Sequence, residues 1–363
     1  MIPRIRFQNK EQVPFVKELR KRVNRYFKEN SISRNANRHM VIKSISMFLI
    51  YLIPYALVYT GIISGVWAFA FAVTMGLGMA GIGMSVMHDA NHGAYSANQK
   101  VNNLIGICIH LIGGDVYNWK VQHNILHHTY TNIDGLDGDI HQDPLLRLSS
   151  EQKWGKGHKF QHIYAFFLYS LGTLLWSVID FIQYRRFTKM GLSPEGKLDK
   201  PKQFKKLLSY KIGYWIFIFV LPMVFSPFTW WQILLGWLIM NMVAGLILTV
   251  TFQLAHVVEG VSFPIPTEEG KVENEWMIHQ LKTTANFAKK SKLVTWYVGG
   301  LNFQIEHHLF PNICHVHYKK ISDIVKSTAD EYGIMYNDNK TYFSAVCSHY
   351  KMLKHLGANP ATL

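Results

Sequence analysis

Two stretches of the chain, residues 44–88 and 212–258, contain no Asp, Glu, Lys or Arg. A helix that crosses a bilayer needs about 20 predominantly apolar residues, so each stretch is long enough for two crossings. Turn-forming residues lie near each midpoint: Gly61 follows the run MFLIYLIPYALVYT, and Ser226-Pro227 follows WIFIFVLPMVF. The pattern predicts two helical hairpins, over roughly 44–60 and 62–86 and then over 212–226 and 229–254. The alternative is a buried hairpin in a large soluble protein. A third uncharged run, 160–179, is also long enough to span, whereas the run 101–114 is too short.

Charge decides the third run. The first 43 residues carry twelve Lys/Arg against three acids, residues 180–211 carry nine Lys/Arg, and the links inside the hairpins carry none. Basic segments stay in the cytoplasm, and both can do so only if an even number of crossings separates them. Run 160–179 is therefore expected in the membrane interface. The expected fold is an all-α integral membrane protein: four transmembrane helices in two hairpins, interfacial helices and a cytosolic, histidine-rich helical cap. Its segments are a basic cytosolic stretch (1–43), the first hairpin (44–88), a cytosolic and interfacial segment (89–211), the second hairpin (212–258) and a cytosolic C-terminal segment (259–363). Both termini are expected in the cytoplasm, and the first segment is too charged for a cleaved signal peptide.

Composition agrees. Of 363 residues, 49% are hydrophobic, 14% aromatic and only 17% charged, which excludes disorder, collagen-like repeats and a coiled coil. The net charge of +15 is largely accounted for by topology and contact with anionic lipid, so nucleic acid is not expected as a partner. Three scattered cysteines make neither a disulfide framework nor a cysteine-based zinc site.

The 18 histidines are the anomaly. They concentrate in HDANH (88–92), HNILHH (123–128) and QIEHH (304–308). His88 and His92 are four apart, as are His123 and His127, with His128 adjacent; His307 and His308 follow Gln304 by three and four. On helices each set aims imidazoles at one spot, as helix-borne metal ligands do. With His256 at the inner end of the last apolar run, these groups reach one membrane face. Seven box histidines, His256 and Gln304 are nine candidate ligands, too many for one ion and suitable for two. Imidazole suits iron, zinc, copper and nickel, and the boxes lack thiolate; two irons are the reading adopted.

The boxes resemble those of the integral-membrane fatty acid desaturases. The likeness rests on HDANH, on WKVQHNILHH from Trp119 to His128 and on GGLNFQIEHHLFP from Gly299 to Pro311. Gln304 in the place of a first histidine resembles the front-end branch, the linoleoyl-CoA desaturase-like enzymes that add a double bond between an existing one and the carboxyl end. The resemblance covers most of one catalytic domain, about residues 40–320. It implies four crossings beneath a di-iron centre that inserts a cis double bond at a delta-5- or delta-6-like position. Carried over, the ligands are His88, His92, His123, His127, His128, His256, Gln304, His307 and His308. Metal-bound imidazoles usually donate their other N–H to a carboxylate or carbonyl, so Asp89, Asp134, Asp137, Asp139 and Glu306 are candidate orienting groups. The remaining histidines, among them His110, His279 and His349, are read as structural.

O2 is the implied co-substrate, and the acyl chain arrives on CoA, a carrier protein or a phospholipid. The family's fused cytochrome b5 domain carries His-Pro-Gly-Gly, whereas this sequence has no His-Pro. Neither bound haem nor flavin is expected, and electrons are expected from a separate ferredoxin or cytochrome b5 with its NAD(P)H reductase. The expected location is a bacterial inner membrane rather than the endoplasmic reticulum. Rival readings are a di-iron hydroxylase or ketolase acting on a lipid, carotenoid or alkane, and a metal or proton transporter. A zinc hydrolase is disfavoured because His-Glu-x-x-His is absent.

Overall fold

The computed structural model describes residues 5–62, 65–141, 144–194 and 196–358. In chain order its main helices are α1 (Val13–Glu29), α2 (Arg38–Thr60), α3 (Trp67–Asn91), α4 (Gln99–Gly106) and α5 (116–130). They continue with α6 (Gln161–Ser170), α7 (Gly172–Met190), α8 (Lys200–Phe225), α9 (Trp230–His256) and α10 (Trp276–Thr283). The last are α11 (Lys292–Tyr297), α12 (Gln304–Leu309), α13 (Tyr318–Glu331) and α14 (Tyr342–Gly357). Helices α2, α3, α8 and α9 are long and apolar enough to cross a membrane. They form the two hairpins expected from the apolar runs. Strand is confined, among the described residues, to two short parallel pairs, Arg6–Phe7 with Lys271–Val272 and Asn286–Phe287 with Asp338–Asn339.

Several boundaries differ from the sequence reading: α2 begins at Arg38 rather than near 44, α3 begins at Trp67 rather than 62, and two further shifts have a visible cause. Helix α8 begins at Lys200, well before the uncharged run. The Asp199 carboxylate accepts from Lys202 N at 3.0 Å and Pro201 sits in the first turn, so local capping rather than hydropathy sets the start. Helix α3 continues to Asn91, so His88 lies inside its last turns rather than beyond them. Residues 82–87 wind as a π-helix, which prolongs the element instead of ending it. The run 160–179 is not one straight helix: α6 and α7 meet at 76°. Ser170 Oγ turns back onto the Phe167 carbonyl at 2.6 Å and Leu171 N bonds Leu168 O, which tightens the turn just before Gly172.

The chain divides into two compact units, each assembled from separate segments. One comprises residues 38–121 and 166–250 and contains most of the apolar helices. Glycines permit its closest helix contacts. A Cβ on Gly78 would lie 2.6 Å from Tyr51 N, and one on Gly76 would lie 2.7 Å from Met240 O, so small residues let these backbones meet. A buried Lys211–Asp180 ion pair ties α8 to α7, with Lys211 Nζ also donating to Trp176 O at 2.9 Å. Charges at such depth persist only when paired.

The other unit comprises residues 1–37, 122–165 and 251–363. Its core sets Phe15, Val16, Leu19, Val23 and Phe27 of α1 against Ile305 and Leu309 of α12 and Ile321 and Val325 of α13. Helix α14 is integrated rather than a trailing end. Its terminal carbonyls, orphaned by helix geometry, accept from Arg147 Nη1 (Leu356 O, 2.7 Å) and Trp154 Nε1 (Gly357 O, 2.9 Å).

Candidate metal centre

The second histidine box is wound differently from the ordinary α-helix assumed above. Residues 120–127 are π-helical, and that wider winding brings side chains five apart round to nearly the same face, which an α-helix does not. His123 and His128 accordingly share a direction, with their Nε2 atoms 3.2 Å apart. The His127 ring lies beside that pair, 5.4 Å from His123 and 5.7 Å from His128, with its Nδ1 turned to Asp137. The third box repeats the division, because adjacent residues on α12 point in different directions. His307 Nε2 lies 2.9 Å from His128 Nε2, whereas His308 joins His127. The rings thus form two adjoining sets, His123, His128 and His307, and His127, His308 and His256, which meet where His128 and His308 stack 4.4 Å apart.

The second set is close to an equilateral triangle, with ring centroids 4.7, 4.9 and 4.8 Å apart. Its ring nitrogens are already sorted. His127 Nδ1 faces Asp137 Oδ2 at 3.0 Å, His308 Nδ1 faces Gln280 Oε1 at 2.8 Å, and His256 Nδ1 faces the Thr283 carbonyl at 3.3 Å. All three partners are acceptors, so a proton sits on each Nδ1 and Nε2 is the atom turned toward a metal. The Nε2 atoms of His127 and His256 are buried and have no hydrogen-bond partner among the described residues. Neither does the amide of Gln304, which is fully buried. Such vacancies cost about 1–3 kcal/mol each unless something fills them, and a bound cation would. In the first set three Nε2 atoms face one another across short distances, an arrangement that calls for a shared proton or a metal. Neutral imidazoles and an amide, without thiolate, fit a divalent first-row metal such as iron.

The carboxylates divide by role. Asp137 is fully buried and accepts Asn132 N at 2.9 Å, Asp139 N at 3.0 Å and the His127 ring. Burial opposes charge on His127, yet Asp137 and Asp139 outweigh it and lift its pKa to about 9. Asp139 stands 3.4 Å from His127 Nδ1. Glu306 points elsewhere, accepting from Asn286 at 2.8 Å and Tyr336 at 2.9 Å, and burial pushes it up to about 7. It therefore braces α12 and orients no box histidine. Asp134 serves Gln152, also at 2.8 Å, in a surface turn. His88 and His92 belong to the unit of apolar helices. There their rings lie 4.7 Å apart, both edge-on to Trp119, and Asp89 is 3.7 Å from His88 Nδ1.

Sequence reasoning missed Gln280, Thr283 and Tyr318, whose Oη is 3.3 Å from His307 Nδ1. No motif holds them; for Gln280 and Thr283 the signal was polar residues on the helix WMIHQLKT, and Tyr318 opens a separate helix. Of the histidines read as structural, His110, His158, His279, His317 and His349 each bring the ring against a backbone carbonyl.

Residues 64–340 match the family model described as Fatty acid desaturase. The chain is 36% identical over 358 residues to the sn-1 linoleoyl-lipid 6-desaturase of Arthrospira platensis, covering 97% of this chain and 95% of that one. The enzyme of the same name from Synechocystis is 34% identical, with 98% of each chain covered. An acyl-lipid (8-3)-desaturase of Physcomitrium patens is 35% identical, over 97% of this chain and 74% of its own.

Proposed function

Because this chain belongs to the fatty acid desaturase family, as a front-end membrane member, we propose that it desaturates an acyl chain esterified in a membrane lipid, using two histidine-held irons. The new cis double bond enters on the carboxyl side of an existing one. The acyl-lipid specificity is drawn from the relatives, whose names specify lipid-bound substrates. The observation that carries the metal reading is the convergence of six buried histidines: His127, His256 and His308 as one close group, and His128 within 3.2 Å of His123 and 2.9 Å of His307.

His123, His128 and His307 would hold one ion, and His127, His256 and His308 the other. Gln304 is assigned as a ligand on its buried, unbonded amide, and His88 and His92 on their motif. Iron bound there supplies the O2 chemistry that side chains lack. The chain's own residues do the positioning. Asp137, Gln280 and the Thr283 carbonyl hold Nδ1–H so that each Nε2 lone pair faces inward. Tyr318 steadies His307, and burial of the set excludes water from the reacting methylenes. The acyl –CH2–CH2– gives up two hydrogens and two electrons. Two further electrons from an external ferredoxin or cytochrome b5, with two protons, complete the reduction of O2 to two waters.

The Lys/Arg distribution supports placing both termini and the histidines on the cytoplasmic side. The test is expression in a host fed linoleate, with mass spectrometric location of the product double bond and an iron assay on the purified chain. Loss of two hydrogens in lipid-bound chains with two irons per chain is expected. Gain of oxygen would replace this reading with a hydroxylase, and freely exchanging metal without product would replace it with a transporter.

A further inference from the structure

We infer that the outward face of α1 is the docking surface for the acidic one-electron carrier protein; the inference rests on the desaturase reading above. Lys17, Arg20, Lys21, Arg25 and Lys28 recur at helical spacing and are all exposed. They cover about 16 Å of helix at about 1.5 Å per residue. The two nearby acids on this helix offset only part of that charge: Glu18 pairs with Arg22 at 2.8 Å and lies 3.8 Å from Lys21, Glu29 lies 3.9 Å from Arg25, and Arg22 also clamps Glu331 at 2.6 Å.

Neighbouring α13 shows the contrast. Its exposed face mixes Lys319, Lys320 and Lys326 with Asp323 and Asp330, and Lys326 pairs with Asp330 at 2.7 Å. A mixed face is ordinary solvated surface. A face on which one sign predominates, as on α1, raises the encounter rate of an oppositely charged partner.

An anionic lipid surface is the competing occupant, and the packing of α1 argues against it. A helix that lies in a membrane interface inserts its apolar face among the lipids. The apolar face of α1 is already spent: Phe15, Val16, Leu19, Val23 and Phe27 are buried within the unit. Only the charged side is left to present. Lys200, Lys202, Lys205 and Lys206, by contrast, begin a crossing helix, where headgroup contact is the natural role.

The position also suits electron entry. The inner face of α1 shares a core with Ile305, Leu309 and Tyr318, and the Tyr318 hydroxyl is 3.3 Å from His307 Nδ1. A carrier on the outer face is thus separated from the histidines by one helix, about 10–12 Å across, and a continuous layer of packed side chains. Two reduced carriers each deliver one electron there per turnover, leave oxidised, and account for the two electrons the substrate does not supply.

The test uses the full chain in lipid nanodiscs with an acidic plant-type ferredoxin. Lys21→Glu/Arg25→Glu/Lys28→Glu is compared with the milder triple Gln variant and with Lys202→Glu/Lys205→Glu. The α1 charge reversal should raise the KM for ferredoxin about tenfold or more and flatten its dependence on ionic strength. Bound iron and dithionite-driven turnover should stay unchanged, which also shows that the variant is folded. The Gln triple should give a smaller shift in the same direction, and the α8 pair none. An unchanged KM in both α1 variants overturns the assignment. So does a loss of binding to vesicles containing phosphatidylglycerol with KM intact, which would make α1 a lipid contact. Failure of the unaltered chain to desaturate with either electron source removes the desaturase reading itself, and the docking surface with it.

Discussion

Replacing Asp137 by Asn changes one atom type in a fully buried carboxylate and leaves its volume intact. Both oxygens are in use: Oδ2 accepts from Asn132 N at 2.9 Å, Oδ1 from Asp139 N at 3.0 Å, and the His127 ring lies 3.1 and 3.0 Å from the two. An amide keeps one acceptor and turns an N–H toward a backbone N–H that needs one. A hydrogen bond to a charged group is worth about 1.5–3 kcal/mol, and a buried donor left unsatisfied costs about 1–3, so the loop should lose roughly 3–5 kcal/mol. The consequence for metal is separate. An amide N–H facing His127 favours the tautomer with its proton on Nε2, the atom the metal needs bare. Removing such an orienting partner typically weakens metal binding about 10–100-fold. Purified Asp137→Asn should therefore give up iron from the set containing His127 to a chelator at about 10–100-fold lower concentration than the unaltered chain, while the other set retains its ion. Asp134→Asn, in the surface turn, is the control and should hold iron normally. The same chelator midpoint and unfolding temperature for Asp137→Asn and the unaltered chain would refute the assigned role of this carboxylate.

Three other outcomes are expected. His256→Ala should abolish desaturation and lower bound iron toward one per chain, measured by metal analysis, with the protein still extractable as a folded monodisperse species; full iron and normal turnover would remove His256 from the ligand set. His349, read from the sequence as structural, is fully buried and its ring Nδ1 meets the Val257 carbonyl at 2.7 Å, so His349→Ala should cost about 2–3 kcal/mol in thermal stability. Burial holds its imidazole down at about 4; the unfolded chain therefore binds a proton the folded one refuses, stability falls as pH drops from about 6.5 to about 4, and the variant should lose that part of the acid dependence. Lys211→Met should strand the Asp180 carboxylate among apolar helices and destabilise the protein by about 3–5 kcal/mol, whereas the double change with Asp180→Leu should recover much of that loss.

Some of this protein was settled within local windows of sequence. Hairpin formation follows from two long uncharged runs interrupted by Gly61 and by Ser226-Pro227, because the requirement for about 20 apolar residues is a property of a segment alone. The histidine boxes were equally visible, since helical spacing is written in consecutive residues. The allocation of ligands was not. Pairing His123 with His128 rather than His127 depends on π-winding over residues 120–127, which no residue there announces. Selecting Asp137 from five carboxylates, and finding Gln280 and Tyr318, required contacts such as His308 with Gln280, 28 residues apart, and His128 with His307, 179 apart. Helix α14 illustrates the same limit: the sequence reading places it only within the cytosolic C-terminal segment, and packing against Arg147, Trp154 and Val257 makes it part of the core. Periodicity says which side of an element is apolar; what that side meets, and which way a ring turns when it gets there, is decided by distant chain competing for the same hydrogen bonds.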